Sequence, residues 1–158
     1  MRDKIKGINN GTIDINKFSF EEIRGISDRV DWHEITWTQK YGIMEDKIDW
    51  SDISMSQELS EEFIREFANE LNWNEVSCYQ KLSENFIRKF QDKVNWNNIS
   101  NSQTLSNKFI IEFYNKVNWE ILDNRNKINK RIFEKMNREQ KLYMLMNYRG
   151  IWENYNGR

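Results

Sequence analysis

The stretch 50–72, WSDISMSQELSEEFIREFANELN, is followed by two of the same length: WNEVSCYQKLSENFIRKFQDKVN from Trp73 and WNNISNSQTLSNKFIIEFYNKVN from Trp96. A decayed copy, WEILDNRNKINKRIFEKMNREQK, begins at Trp119. The tryptophans at 50, 73, 96 and 119 recur every 23 residues. A fixed period in this range means stacked copies of one supersecondary unit. The shared frame is W-x-x-I-S-x-x-Q-x-L-S-x-x-F-I-x-x-F-x-x-x-V-N, and it contains two helix starts. Asp49, Asn72, Asn95 and Asn118 precede the tryptophans, where a short polar side chain accepts from free backbone N–H groups. Ser60, Ser83 and Ser106 do the same for a second helix. Leu59 with Ile64, Leu82 with Ile87, and Leu105 with Ile110 are spaced as hydrophobic staples.

The second helix carries Phe63, Ile64, Phe67 and Leu71, one apolar stripe at helical period. Trp50 and Ile53 mark the first. Each unit therefore reads as a short helix, a tight turn and a helix of about three turns. Neither helix buries its stripe alone, so neighbours must stack. The expected fold is an all-α solenoid of helix–turn–helix repeats. The chain has no proline, and no glycine between Gly42 and Gly150. Asn, Asp and Ser must make the turns there, and Asn tolerates the left-handed conformation.

The repeat sets the organisation. Residues 1–29 form an N-terminal cap, 30–49 a truncated repeat, 50–118 three regular repeats, and 119–158 a decayed repeat with a C-terminal capping helix, together one domain. Ser19-Phe20-Glu21-Glu22 reads as a capping box, with Phe18 and Ile23 as its staple, predicting a helix over 20–27. Residues 4–15, KIKGINNGTIDI, read either as a small β-hairpin turning at Asn10-Gly11 or as an irregular cap. Val30-Asp31-Trp32 opens the truncated unit. Residues 139–148 read as a terminal helix, and atypical units at both ends fit the caps an array needs.

No apolar run is long enough for a transmembrane helix. The N-terminus lacks an apolar leader core, and the single cysteine excludes an internal disulfide. The cytoplasm is the expected compartment, that of the host if the chain is phage-encoded. Net charge is −1, but residues 1–72 carry nine Lys or Arg against sixteen Asp or Glu, a net of −7. Residues 73–158 carry fifteen against nine, a net of +6. In a linear array this separation makes an electrostatic dipole.

Nothing here composes a catalytic site, and no cofactor or metal is expected. His33, the only histidine, reads as a surface or cap residue. Cys78 belongs to another unit and reads as a tolerated thiol. No Cys/His set has metal-ligand spacing, and the repeats lack the glycines of a phosphate loop. Glu21-Glu22 and Glu61-Glu62 sit in first turns, where the helix dipole favours them. The repeated tryptophans read as core; Trp37 and Trp152 lie off the ladder.

Function belongs on positions that vary while the frame holds: Arg65, Arg88 and Ile111; Glu66, Lys89 and Glu112; Ala68, Gln91 and Tyr114. Ile111 and Tyr114, with Asn107, Lys108 and Lys116, make a mixed patch suited to a protein partner. Alternatively, Ile111 packs on the terminal helix. Arg125, Lys127, Lys130, Arg131, Lys135, Arg138 and Lys141 form a basic series that follows phosphates or is a solvated face. Glu58, Glu61, Glu62, Glu66 and Glu70 offer the mirror case, imitation of a nucleic-acid backbone toward a basic partner. The residues placed at a partner surface are Arg88, Lys89, Lys108, Ile111, Tyr114, Arg131 and Lys135.

The frame resembles short tandem helical repeats in uncharacterised proteins of low-GC bacteria, phages and large DNA viruses, over roughly residues 30–140. The resemblance implies an α-helical array of mobile-element origin and transfers no catalytic residue. The leading expectation is a non-enzymatic protein-binding module, by analogy a phage-encoded inhibitor of a host defence complex such as a CRISPR effector. Nucleic-acid binding through residues 125–141 is the first alternative. A structural or self-associating module is the second.

Overall fold

The computed structural model describes residues 18–27 and 49–156. The proposed hairpin at 4–15 and the truncated repeat at 30–49 lie outside them, as do His33 and Trp37. Among the described residues there are eleven helices and no strand. The first, α1 (Phe20–Ser27), starts at the predicted capping box. Ser19 Oγ accepts from the Glu22 N–H at 3.2 Å, and the Glu22 carboxylate accepts from the Ser19 N–H at 2.9 Å. Ile23 is fully buried.

The repeats supply α2 (Trp50–Ser56) and α3 (Glu61–Glu66), α4 (Trp73–Tyr79) and α5 (Glu84–Lys89), α6 (Trp96–Ser102) and α7 (Asn107–Glu112), then α8 (Trp119–Asn124) and α9 (Lys130–Lys135). Every predicted cap is in place: Asp49, Asn72, Asn95 and Asn118 cap the first helices, and Ser60, Ser83 and Ser106 the second. The chain ends in α10 (Arg138–Asn147), opened by an Asn137–Gln140 capping box, and α11 (Arg149–Asn156). The terminal helix was legible in the sequence; α11 was not.

Two compact units are distinguished, residues 1–81 and 82–158. In the first, α2 packs on α4. In the second, α6 packs on α8 and α7 on α9. Like thus stacks on like, as a helical repeat requires. Trp50 stacks on Phe67 at 5.2 Å between ring centres. In the second unit Trp96 lies 5.0 Å from Phe113, and Trp119 lies 5.8 Å from Phe133. Helix α11 packs on α8 and α9. There Tyr155 stacks on Phe133 at 5.1 Å, and Trp152 meets the same ring edge-on.

The second helix of each repeat is shorter than its apolar stripe predicts. Helix α3 stops at Phe67, and a turn carries the chain to Leu71. At the end of that turn the Leu71 N–H donates to the Phe67 carbonyl at 3.1 Å. A further bond of helical pattern there would take the Asn72 N–H to the Ala68 carbonyl. Instead the Asn72 N–H donates to Ser54 Oγ at 3.2 Å, and the Trp73 indole N–H donates to the Ala68 carbonyl at 2.8 Å. The other regular joints keep the indole bond: Trp96 to the Gln91 carbonyl at 3.0 Å, and Trp119 to the Tyr114 carbonyl at 2.8 Å. The turns also differ from expectation. Among the described residues Asn126 is the one non-glycine with positive φ, at 54°. The Asn caps stay extended and act through their side chains, so these turns need neither glycine nor left-handed asparagine.

The frame glutamines Gln57, Gln80 and Gln103 are buried, and Gln80 and Gln103 join one repeat to the next. Gln80 donates to the Ser54 carbonyl at 2.8 Å and the Gln57 carbonyl at 2.6 Å, and accepts from the Leu59 N–H at 2.8 Å. These groups lie at the end of α2 and in the loop after it, beyond the helix's own ladder. In the second unit Gln103 accepts from the Leu82 N–H at 3.1 Å. Gln80→Leu keeps the volume but strands three buried polar groups. It is expected to cost about 2–4 kcal/mol in urea unfolding. Exposed Lys81→Gln should shift the midpoint very little.

Candidate interaction surfaces

Variable positions in the repeat are not all free. Arg88 on α5 forms a fork with Glu112 on α7, Nε at 3.0 Å from Oε1 and an Nη at 2.9 Å from Oε2. It also donates to Asn85 at 3.0 Å, and its guanidinium sits 5.0 Å above the Phe109 ring. Arg88 thus joins two successive repeats. The same pairing holds Glu112 below the usual carboxylate range, chiefly through the Arg88 hydrogen bond.

Tyr114 turns toward the terminal helix. Its hydroxyl donates to Glu139 at 3.2 Å, and its ring meets Tyr143 edge-on at 5.0 Å. Desolvation, then Glu139, raises its pKa. Ile111 is half-buried, and its carbonyl accepts from Gln140 at 2.9 Å. Lys116 reaches Gln91 at 2.9 Å and lies over the Trp96 ring. Lys89 and Lys108 are exposed, Lys89 beside the Phe90 ring.

The basic C-terminal series also divides. Lys127 points inward, its ammonium donating to the carbonyls of Ser100, Asn101 and Gln103 at 3.0, 2.7 and 2.9 Å. The frame would place a glutamine at 126. Asn126 takes the left-handed turn instead, and Lys127 supplies the cap one residue later. Burial, then Arg125, lowers the Lys127 pKa. Arg125 donates to Asn101 at 2.9 Å. What faces solvent is Lys130, Arg131 and Lys135 on α9, and Arg138 at the start of α10.

The sequence reading missed the outward face of α10. Leu142, Leu145 and Met146 are 54%, 42% and 75% exposed, on one stripe at i, i+3 and i+4. Gln140 and buried Met144 take the inner face. The signal was present in LYMLMN, but a terminal helix rich in apolar residues reads equally as core.

The tryptophans are structural. Trp50 and Trp119 are buried; Trp73 and Trp96 are half-buried with their indole N–H groups engaged. Cys78 is half-buried. Among the described residues no group of three His, Cys, Asp or Glu side chains is placed to hold a metal ion. No helix there is long and apolar enough to cross a membrane. No family model, curated protein or solved structure matches the chain.

Two outcomes follow from the engaged cations. Glu112 titrates lower folded than unfolded, so its pairing stabilises above its ordinary value of 4.5 and is lost as pH falls through the folded value. Wild type should melt above Glu112→Gln at neutral pH, and the gap should close in acid. Lys127→Met should lose roughly 1–3 kcal/mol by removing the shared cap. Arg131→Glu with Lys135→Glu should leave the melting temperature nearly unchanged.

Proposed function

We propose that the chain is a non-enzymatic protein-binding repeat module that docks a partner along α10. The observation carrying this is the outward row of Leu142, Leu145 and Met146. An exposed row at this spacing suits packing against another helix or a flat apolar surface. Lys130, Arg131 and Lys135 on α9 and Arg138 at the start of α10 are exposed cations close to it in sequence, and cations beside an apolar row suit the polar edge of an interface. Tyr114 and Ile111 support the site from behind, through Glu139 and Gln140. Inhibition of a host defence complex is the specific version that the repeat resemblance suggests.

A second reading, nucleic-acid binding, is favoured by the run of exposed Lys130, Arg131, Lys135 and Arg138. It uses α9 rather than the apolar row. The two readings separate experimentally. Affinity capture from host lysate should recover a partner that Leu142→Asp with Met146→Asp loses and Arg131→Glu with Lys135→Glu retains. Turnover of a substrate with no specific partner would overturn the binding reading. Nucleic-acid binding predicts retardation of DNA or RNA that weakens steeply with salt and is lost in the α9 double variant. Unchanged mobility at low salt removes it.

A further inference from the structure

Among the described residues, the large hydrophobic side chains left exposed fall into two groups. Leu142, Leu145 and Met146 lie on α10; Met55 and Tyr79 lie on α2 and α4. Helices α2 and α4 pack on each other, and Met55 and Tyr79 occupy adjacent frame positions in successive repeats. Each group sits in a strongly charged segment, and the signs are opposite. Residues 49–81 carry eight acidic against two basic side chains. Asp49, Asp52, Glu58 and Glu75 lie on or beside the two helices that hold Met55 and Tyr79. Residues 125–149 carry eight basic against two acidic. After Lys127 is given to its cap, Lys130, Arg131, Lys135, Arg138 and Arg149 remain exposed there.

We infer that the partner of the α10 row is a second copy of this chain, which offers its acidic face around Met55 and Tyr79. The inference rests on the protein-binding reading above and names the occupant. Two apolar groups carried on segments of opposite charge suit each other, whereas α10 against its own copy sets one cationic segment against another. Like-charge juxtaposition opposes that symmetric pairing. The contact joins different surfaces, so it is heterologous; such contacts close into a ring or extend, according to the rotation between copies. Association weakens as salt screens the opposite charges.

Purified chain alone tests this, by sedimentation velocity across the micromolar to millimolar range. Average mass should rise above the 19.4 kDa monomer with concentration, and fall back when salt is added. Leu142→Asp with Met146→Asp blocks one face; Met55→Lys with Tyr79→Lys blocks the other. Each variant alone should stay monomeric. Their equimolar mixture should form a dimer and stop there, because each chain retains one working face. Circular dichroism confirms that both are folded. Should the first variant unfold, Arg138→Glu with Lys141→Glu replaces it with the same expected result. A wild type that stays monomeric at every concentration overturns the inference, and so does a Met55/Tyr79 variant that associates like wild type. Partner capture from lysate is independent of both outcomes, so loss of self-association would leave the broader reading standing.

Discussion

Everything in this fold depends on how very short helices dispose of their ends. A helix of six or seven residues leaves about four N–H and four carbonyl groups unpaired, more than it pairs. Such helices do not persist alone in water. Here the missing partners come from the neighbouring repeat. Gln80 closes the end of α2, and Lys127 closes the end of α6. Ser54 and Ser100 accept the N–H groups of Asn72 and Asn118. Hydrophobic stripes bring the repeats together, but these bonds make each helix conditional on the next. They also set the period, since a slip of one residue would strand every one of them.

The substitution at the last joint shows how strict that requirement is. Where the frame loses its glutamine, the carbonyls are not left bare. Asn126, at the glutamine's position, takes the left-handed conformation, and the Lys127 ammonium arrives in place of the amide. A primary amide offers two donors and an acceptor; an ammonium offers three donors and none. Lys127 meets three carbonyls, which matches its valence. A cation at a helix C-terminus is also favoured by the dipole. The position that looked like one more charge in a nucleic-acid patch is the fold's own repair.

The sequence disclosed those features whose cause is local. Caps, staples and the period each depend on residues a few positions apart, so Asn72, Ser60 and Leu59 could be assigned from spacing alone. Frame residues Ser54, Gln57, Gln80 and Gln103 were visible as invariant but carried no assignment. The inter-repeat bonds of Ser54, Gln80 and Gln103 span 18 to 26 residues, and a polar residue in a repeat gives no sign of whether it faces in or out. The same blindness affected Arg88. It varies between repeats, yet variation also arises when one repeat's cation answers the next repeat's anion, as Arg88 answers Glu112. The apolar stripe predicts a longer α3 than forms, because it reports which residues are buried and not which backbone groups pair.

Helix α10 reverses the usual arrangement, and the polar contacts explain why. Gln140 is fixed twice, by its capping box with Asn137 and by its bond to the Ile111 carbonyl. Tyr143 is fixed against Tyr114. With those residues and Met144 turned inward, a rotation of about 100° per residue leaves Leu142, Leu145 and Met146 no choice but to face out. Rotating the helix to bury them would gain about 25 cal/mol for each Å² covered. It would also break the bonds of Gln140 and uncover Met144. The inward polar contacts therefore hold an apolar row at the surface, where a globular helix would present charge. A row held out by specific bonds is preorganised: a partner that covers it need not first reorder the helix.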